Sequence, residues 1–161
     1  MPLNPPMKAS DRRIAQAQHD EGLSLKAYPD PRGQTKTWAI GYGTNAPWVK
    51  PGMTCTEEQA NGWLMDKIKS AESCINRLVN VELEQHEFDA LVDFVYNVGE
   101  GSAILRKGFA GSTLLKKLNL GDKAGAAQEL LRWVYAGGEI DKGLVGRRQQ
   151  EQDEFEGKED A

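Results

Sequence analysis

The chain has 161 residues, of which 39% are hydrophobic and 27% charged, and its formal net charge is -4. This length and composition are typical of one globular domain, and they exclude a disordered chain or a core that depends on disulfides or metal. No apolar run approaches the roughly 20 residues of a membrane span, so we expect no signal segment, anchor or stable membrane insertion.

Cysteine and histidine are too sparse to indicate a metal site. Cys55 and Cys74 stand 19 positions apart without a CxxC pair, and the chain has two histidines. We therefore expect no zinc site, and free buried thiols in preference to a disulfide. An excess of Lys and Arg over residues 101–148 could meet a polyanion or could be solvated helix faces. Because no aromatics interleave with these cations, nucleic acid is not an expected partner.

The first predicted element is a helix from Asp11 to Glu21. Ser10 can cap its start, and Gly22 offers a C-terminal stop. Glu21 therefore falls in the last helical turn.

A small antiparallel sheet is predicted next. Apolar and polar residues alternate from Leu23 to Tyr28, which is the pattern of a half-buried strand. The segment "PDPRG" then turns the chain, and "TKTWAIGYGTN" has the pattern of a second strand with Thr37 and Ala39 on one face.

The rest of the chain has helical periodicity. Thr56 and Gln59 form a capping box before a long helix. A further helix ends near "NVGEG", and the segments "STLLKKLNLG", "DKAGAAQELLRWVYAGG" and "GLVGRRQQEQDEF" predict shorter helices. The predicted fold is α+β, with a small antiparallel sheet lobe, a larger helical lobe and a cleft between them. We predict a flexible arm over residues 1–9, a single domain over 10–157 and an acidic tail over 158–161.

Two carboxylates near the first helix and turn are candidates for acid and base. The negative end of the helix dipole disfavours ionisation of Glu21, which suits a proton donor. Asp30 lies at a strand-to-turn junction, where neighbouring amides can keep a carboxylate ionised. Glycoside hydrolysis uses such a pair. On spacing alone, an Asp30 that only shapes a turn is the favoured interpretation.

The surrounding motifs resemble a known family. The segments "EGLSLKAYPDP", "WAIGYG", "FDALVDFVYNVG", "STLLKKLN", "AAQELLRWVYAGG" and "GLVGRRQQE" together resemble the phage-type lysozymes, the endolysin muramidases of glycoside hydrolase family 24. The resemblance covers roughly residues 10 to 156. It implies a lysozyme-like fold and hydrolysis of the β-1,4 bond between N-acetylmuramic acid and N-acetylglucosamine in bacterial peptidoglycan. It places the general acid at Glu21 and the second carboxylate at Asp30.

The chain departs from that family at its third site residue. The family has a threonine in a "WTIGYGHT"-like stretch, thought to position the attacking water, and Ala39 occupies that place here. Chain spacing after Asp30 instead reaches Lys36, between Thr35 and Thr37. Thr37 shares a strand face with Ala39 and could supply the hydroxyl, or it could be an ordinary β-favouring surface residue.

Further residues are expected to bind substrate. Thr44 stands where the family usually has a histidine, and the ring of Tyr42 could stack on a sugar or pack in the sheet. The resemblance implies that Asn97 shapes the binding site. It also implies that Arg147 approaches the catalytic glutamate, although a solvated arginine remains an alternative.

The resemblance implies a phage endolysin that lyses the host cell as a monomer and needs no metal and no organic cofactor. Such a protein collects in the host bacterial cytoplasm and reaches the periplasm and cell wall after a holin has damaged the membrane. The missing threonine leaves two alternatives open. One is a lytic transglycosylase that forms 1,6-anhydro ends. The other is a degenerate protein that binds peptidoglycan or serves in the virion.

Overall fold

The computed structural model describes residues 5–31 and 37–158. These residues form six helices and five short strands, which confirms the predicted α+β class. In chain order the elements are α1 (Asp11–Glu21), β1 (Ser24–Pro29), β2 (Trp38–Gly41), β3 (Thr44–Asn45), α2 (Glu57–Leu78), α3 (Gln85–Val98), α4 (Thr113–Asn119), α5 (Lys123–Leu130), β4 (Tyr135–Ala136), β5 (Glu139–Ile140) and α6 (Lys142–Phe155).

The described chain divides into two compact units. Residues 11–69 form the sheet unit, and the other described residues, 5–10 and 70–158, form the helical unit. The domain boundaries at residues 10 and 157 stay a prediction.

The sheet unit contains one antiparallel sheet in the order β1, β2, β3. The prediction of a single strand over "TKTWAIGYGTN" is wrong, because the chain turns between β2 and β3. Gly41 and Gly43 flank that turn with φ angles of +69° and +78°, which glycine adopts without steric cost. The turn pairs Ala39 with Asn45 and Ile40 with Thr44.

A small hydrophobic core lies against this sheet. Its fully buried members are Ala27, Ile40 and Val49. Trp63, from the first turns of α2, packs against them. The predicted capping box at the start of α2 is confirmed, because the amide of Gln59 donates to the Thr56 hydroxyl and the amide of Thr56 donates to the Gln59 side chain.

The helical unit is built around α3. This helix is buried over nine consecutive residues from Glu87 to Val95, and it packs on α6, which in turn packs on α5. The predicted end near "NVGEG" is confirmed, since the amide of Gly99 closes the last turn on the Val95 carbonyl. The core of this unit includes Phe88, Leu91, Phe94, Phe109, Leu114, Leu118, Leu130 and Phe155.

The helix predicted over "DKAGAAQELLRWVYAGG" is shorter than the sequence indicated. α5 ends at Leu130, and β4 and β5 form a two-stranded hairpin over Tyr135–Ala136 and Glu139–Ile140. Gly137 and Gly138 connect these strands with φ angles of +60° and +84°. Two successive positive φ angles are the signature of a type I′ hairpin turn, so these glycines direct a hairpin and not a helix end.

The segment before α1 is fixed to the helical unit by hydrogen bonds. The amide of Met7 donates to Asn76, and that of Ala9 donates to Glu72. Ser10 donates its amide and its hydroxyl to the carboxylate of Asp89. These bonds argue against free movement of residues 7–9. The rest of the predicted arm up to residue 4, and the tail from 159, lie outside the described residues.

The two thiols are free, as predicted. Cys74 is buried in α2, and Cys55 is half-buried before that helix. Burial raises the pKa of the Cys74 thiol to about 12, and the neighbouring Glu100 carboxylate contributes to the rise. A thiol with so high a pKa is a poor nucleophile at neutral pH, so we assign it no chemistry.

Candidate active site

Glu21 is the last residue of α1, in the helical turn where the sequence predicted it. The helix stops there because Gly22 adopts a φ of +69° and donates its amide back to the Gln18 carbonyl. The half-buried Glu21 carboxylate lies against the turn between β2 and β3. A Cβ atom added to Gly43 would stand only 3.2 Å from Glu21 Oε2. The glycine turn therefore passes close to this carboxylate at the end of α1.

Asp30 lies directly after β1 and continues its pairing with the next strand. Its amide donates to the carbonyl of Thr37 at 2.8 Å. Its carboxylate oxygen Oδ2 accepts a hydrogen bond from Nδ2 of Asn45 at 2.7 Å. The same Nδ2 donates to the hydroxyl of Thr37 at 2.9 Å. One asparagine amide therefore joins the carboxylate to the threonine hydroxyl.

We did not expect Asn45 in this cluster from the sequence. The residue reaches Asp30 because the turn at Gly43 folds β3 back along β2, which pairs Asn45 with Ala39. The glycines of "GYGTN" were the available signal, since positive-φ glycines flank such turns.

The other predicted residues of the sheet unit take different surroundings. Ala39 is buried with 1% of its surface exposed, and Thr44 is half-buried in β3. Tyr42 is 7% exposed, so its ring offers little area for stacking on a sugar. Lys36, the position that chain spacing indicated, and its neighbour Thr35 lie outside the described residues.

Arg147 and Asn97 belong to a polar network in the helical unit. Arg147 donates two hydrogen bonds to the carboxylate of Asp93, at 3.0 and 2.9 Å. The next residue, Arg148, is 1% exposed and donates to both oxygens of Glu151 at 2.7 Å and to the Asn97 side chain. Such buried polar groups are stable only as a fully bonded set.

Glu151 has an unusual environment within this network. Burial raises its pKa well above the usual range, and the adjacent Asp93 carboxylate raises it further against the opposing effect of Arg148. The network therefore combines two carboxyl groups with the two guanidinium groups of Arg147 and Arg148.

A pocket of about 390 Å³ opens beside this network. Basic, amide and aromatic side chains share its wall with two aliphatic residues. The lining residues are Asn97, Val98, Arg132, Trp133, Tyr135, Leu144 and Arg148. The exposed side chains of Arg132 and Tyr135 present a cation and an aromatic ring to this pocket, whereas Arg148 already donates to Glu151 and Asn97.

Neither a metal centre nor a membrane segment is found in the part of the chain that the structure covers. Over residues 5–31 and 37–158, no three side chains of His, Cys, Asp and Glu are grouped as metal ligands. No helix in these ranges has the length and apolar character needed to cross a membrane.

Comparison with known sequences gives a consistent family assignment. The family model described as "Phage lysozyme" matches residues 18–151. The endolysin of Salmonella phage P22 is 36% identical over 146 residues, covering 89% of this chain and 95% of that protein. The endolysin of Bacillus phage PZA is 40% identical over 146 residues, covering 91% of this chain and 54% of that protein. The chain thus spans about half the length of some of the curated relatives it matches.

Solved structures agree with the sequence comparison. The endolysin from Escherichia coli O157:H7 phage FAHEc1 superposes with a TM-score of 0.80 and 32% sequence identity. That match covers 95% of this chain and 96% of the other. The predicted lysozyme-like fold is therefore confirmed.

Proposed function

Since this chain belongs to the phage lysozyme family, we propose that it is a muramidase that hydrolyses the β-1,4 bond between N-acetylmuramic acid and N-acetylglucosamine. The observation that carries the proposal is the family match over residues 18–151, within which Glu21 and Asp30 both remain. The similarity to proteins named endolysins supports peptidoglycan as the substrate.

In this proposal Glu21 is the general acid. It gives its proton to the glycosidic oxygen as the bond to the leaving sugar breaks. The fixed end of α1 and the close approach of Gly43 support this role, because they limit the positions that the carboxyl group can take. An acid held in one place loses less entropy in reaching the transition state.

Asp30 is the second carboxylate in the proposal. It acts on the face of the sugar opposite the leaving group, where a carboxylate can accept a proton from water or stabilise positive charge at the anomeric carbon. The hydroxyl of Thr37 acts beside it. The bonds from Asn45 to Asp30 and Thr37 support this pairing, since they hold the two groups on one side of the sheet.

The remaining predicted residues are assigned to substrate binding. Thr44 presents a half-buried hydroxyl from β3, and Tyr42 could contribute its own hydroxyl but little of its ring. In the helical unit, Asn97 lines the 390 Å³ pocket. Arg147 stands next to Arg148, which also lines it. Murein carries peptides with free carboxylates, and the basic lining is suited to such groups.

The cellular setting is part of the proposal. The protein acts as a monomeric endolysin that collects in the host cytoplasm and reaches the cell wall after a holin has opened the membrane. Its similarity to phage endolysins supports this setting. If the protein is instead found in the periplasm of phage-infected cells with intact membranes, holin dependence is wrong.

Mass spectrometry of purified murein sacculi after digestion tests the reaction itself. We expect the wild type to release fragments with reducing N-acetylmuramic acid ends, and Glu21→Gln to release none, because the amide has no acidic proton to give. Release of 1,6-anhydro ends by the wild type would identify a transglycosylase. Co-sedimentation with murein without any release would identify a binding protein.

A further inference from the structure

Hydrolysis by the proposed pair of carboxylates requires a water molecule held in one orientation. The water must present a lone pair to the anomeric carbon while one of its hydrogens points at the base. Ala39, at the family's threonine position, has no hydroxyl for this purpose, and its methyl group is buried. Another group must therefore orient the water if the chain is a hydrolase.

We propose that Asn45 is a positioning residue whose amide holds the Thr37 hydroxyl beside the Asp30 carboxylate, an arrangement called the clamp below. The held hydroxyl then orients the water, which Ala39 cannot do. The proposal rests on the muramidase function proposed above. Its basis is that one amide nitrogen lies 2.7 Å from Asp30 Oδ2 and 2.9 Å from Thr37 Oγ1.

Hydrogen-bond capacity sets the orientation of each group in this clamp. A carboxylate only accepts hydrogen bonds, so Asn45 must present its NH₂ and not its oxygen to Asp30. The two hydrogens of that NH₂ serve Asp30 and Thr37. A threonine hydroxyl has one hydrogen and two lone pairs. After accepting the bond from Asn45, Thr37 keeps its hydrogen and one lone pair with which to hold water.

The sheet register explains why alanine at position 39 is compatible with this clamp. Asn45 pairs directly with Ala39, and Thr37 lies two residues before Ala39, immediately ahead of β2. Directly paired residues have Cβ atoms only about 5 Å apart, so a larger side chain at position 39 would crowd the side chain of Asn45. The methyl of Ala39 leaves the Asn45 amide a path to the diagonal Thr37 and to Asp30 beyond it.

The exposure of Asn45 also favours a functional role over a packing role. Asn45 is exposed and ends a strand of two residues, so its amide fills no core. Asp30 and Thr37 are both half-buried. Such a site is open to water and sugar, as a reacting centre must be.

The oxygen of the held water forms the new bond to the anomeric carbon, and the bond from that carbon to the glycosidic oxygen breaks. Asp30 takes a proton from the water, and Glu21 gives its proton to the leaving oxygen. The two carboxyl groups return to their starting states by exchanging protons with solvent. Asn45 touches neither sugar nor water in this step, because it acts through Thr37 and Asp30.

The test is steady-state kinetics of Asn45→Ala on soluble murein glycan fragments, with analysis of the product ends. We expect kcat to fall by about 10- to 100-fold with KM within about twofold, as for a misplaced reacting group. We also expect the share of 1,6-anhydro ends to rise, because the sugar's own hydroxyl competes better when water is poorly held.

Two further variants separate positioning from folding. Thr37→Val should reproduce the effect, while Thr37→Ser, which keeps the hydroxyl, should retain most of the wild-type kcat. Combining Asn45→Ala with Thr37→Val should lower kcat little further than either change alone, because the effects of residues that act as a unit are not additive. Asn61→Ala is the matched control, since it removes an asparagine that bonds Gln18 in the same unit and should leave kcat unchanged.

The results of these variants distinguish failure of the Asn45 clamp from failure of the proposed muramidase function. Wild-type kcat and product ends in Asn45→Ala, with Glu21→Gln inactive, would overturn the clamp and leave the muramidase function standing. Full activity of Glu21→Gln would overturn the function itself. A fall in kcat that Asn61→Ala reproduces would also overturn the clamp, because it would report general damage to the unit.

Discussion

Glu21 Oε2 and Gly43 approach each other so closely that a Cβ atom on the glycine would stand 3.2 Å from the carboxylate oxygen. The carboxylate comes from the end of α1 and the glycine from the turn between β2 and β3, two segments about twenty residues apart in the chain. Gly43 also has a φ of +78°, which a residue with a Cβ adopts only with strain. The turn therefore meets two requirements at one position, its own backbone conformation and the space for Glu21.

We predict that Gly43→Ala lowers lytic activity per folded molecule by about 10- to 100-fold, since small displacements of a reacting group have effects of that size. Gly52→Ala is the matched control, because Gly52 has a similar φ of +86° but nothing within 4 Å of the added Cβ. Both variants should lose about 1–2 kcal/mol of unfolding free energy from left-handed strain. Activity and thermal unfolding should be measured on the same samples. Equal activity of the two variants would contradict the account.

Asp30→Asn should separate the charge of Asp30 from its hydrogen bonding. The new side chain can still accept the bond from Asn45 through its oxygen, so we expect the unfolding free energy to change by less than about 1 kcal/mol. Activity should fall by at least about 100-fold, because the amide cannot take a proton from water. Asp66→Asn, at an exposed aspartate of the same unit, should leave activity unchanged. Near-normal activity of Asp30→Asn would exclude a role for this carboxylate in catalysis.

The buried network around Glu151 predicts a specific dependence of stability on pH. Burial first, and the Asp93 carboxylate second, raise the pKa of Glu151 in the folded state above its value in the unfolded chain. The contribution of Glu151 to stability is therefore fully present below the unfolded pKa, near 4.3. It declines as pH rises from there toward the folded pKa, because the unfolded state releases its proton first.

Glu151→Gln has no proton to lose and should lack this decline. The melting temperature of the wild type, taken relative to that of Glu151→Gln at the same pH, should fall as pH rises from about 4 to about 8. Glu139→Gln, in the exposed strand β5, is the control that makes the same change of net charge outside the buried network. A melting temperature of the wild type that rises with pH relative to that of Glu151→Gln would show that Glu151 is ionised in the folded protein, held by Arg148.

Leu91→Ala tests the importance of α3 to the fold. Leu91 is fully buried, and truncating such a leucine costs about 2–5 kcal/mol from lost burial and the cavity that remains. Leu120→Ala makes the same chemical change at a residue that is 85% exposed, so it should cost less than about 0.5 kcal/mol. Denaturant unfolding measures both. Similar losses in the two variants would mean that the helical unit does not have its core at α3.

Helix ends could be predicted from the sequence where the residues that cap them lie within a few positions in the chain. Gly22 predicted the end of α1 and hence the position of Glu21, and Thr56 and Gln59 predicted the start of α2, because caps depend on neighbours in the chain. The hairpin of β4 and β5 was missed because its apolar residues continue the periodicity of α5. The pair Gly137–Gly138 closes the segment for which a helix was predicted, and its two positive φ angles form a hairpin turn.

The contacts that build the candidate site could not be predicted in the same way. Asn45 reaches Asp30 because the turn at Gly43 folds β3 back along β2 and pairs Asn45 with Ala39. Which residues pair depends on contacts between the strands, and the local sequence does not specify it. Likewise, periodicity does not distinguish a buried Asp93 from a solvated one. Its burial depends on Arg147, which lies 54 residues further along the chain.

The most direct test of the central claim is the rate at which the protein clears a suspension of Gram-negative cells stripped of their outer membrane. The account predicts that the wild type and Glu58→Gln, a change at an exposed glutamate of α2, clear the suspension at equal rates. It predicts that Glu21→Gln, at the same concentration of folded protein, clears at least about 1,000-fold more slowly, the size of effect expected on removing a general acid. Clearing by Glu21→Gln at the wild-type rate, or no clearing by the wild type, would contradict it.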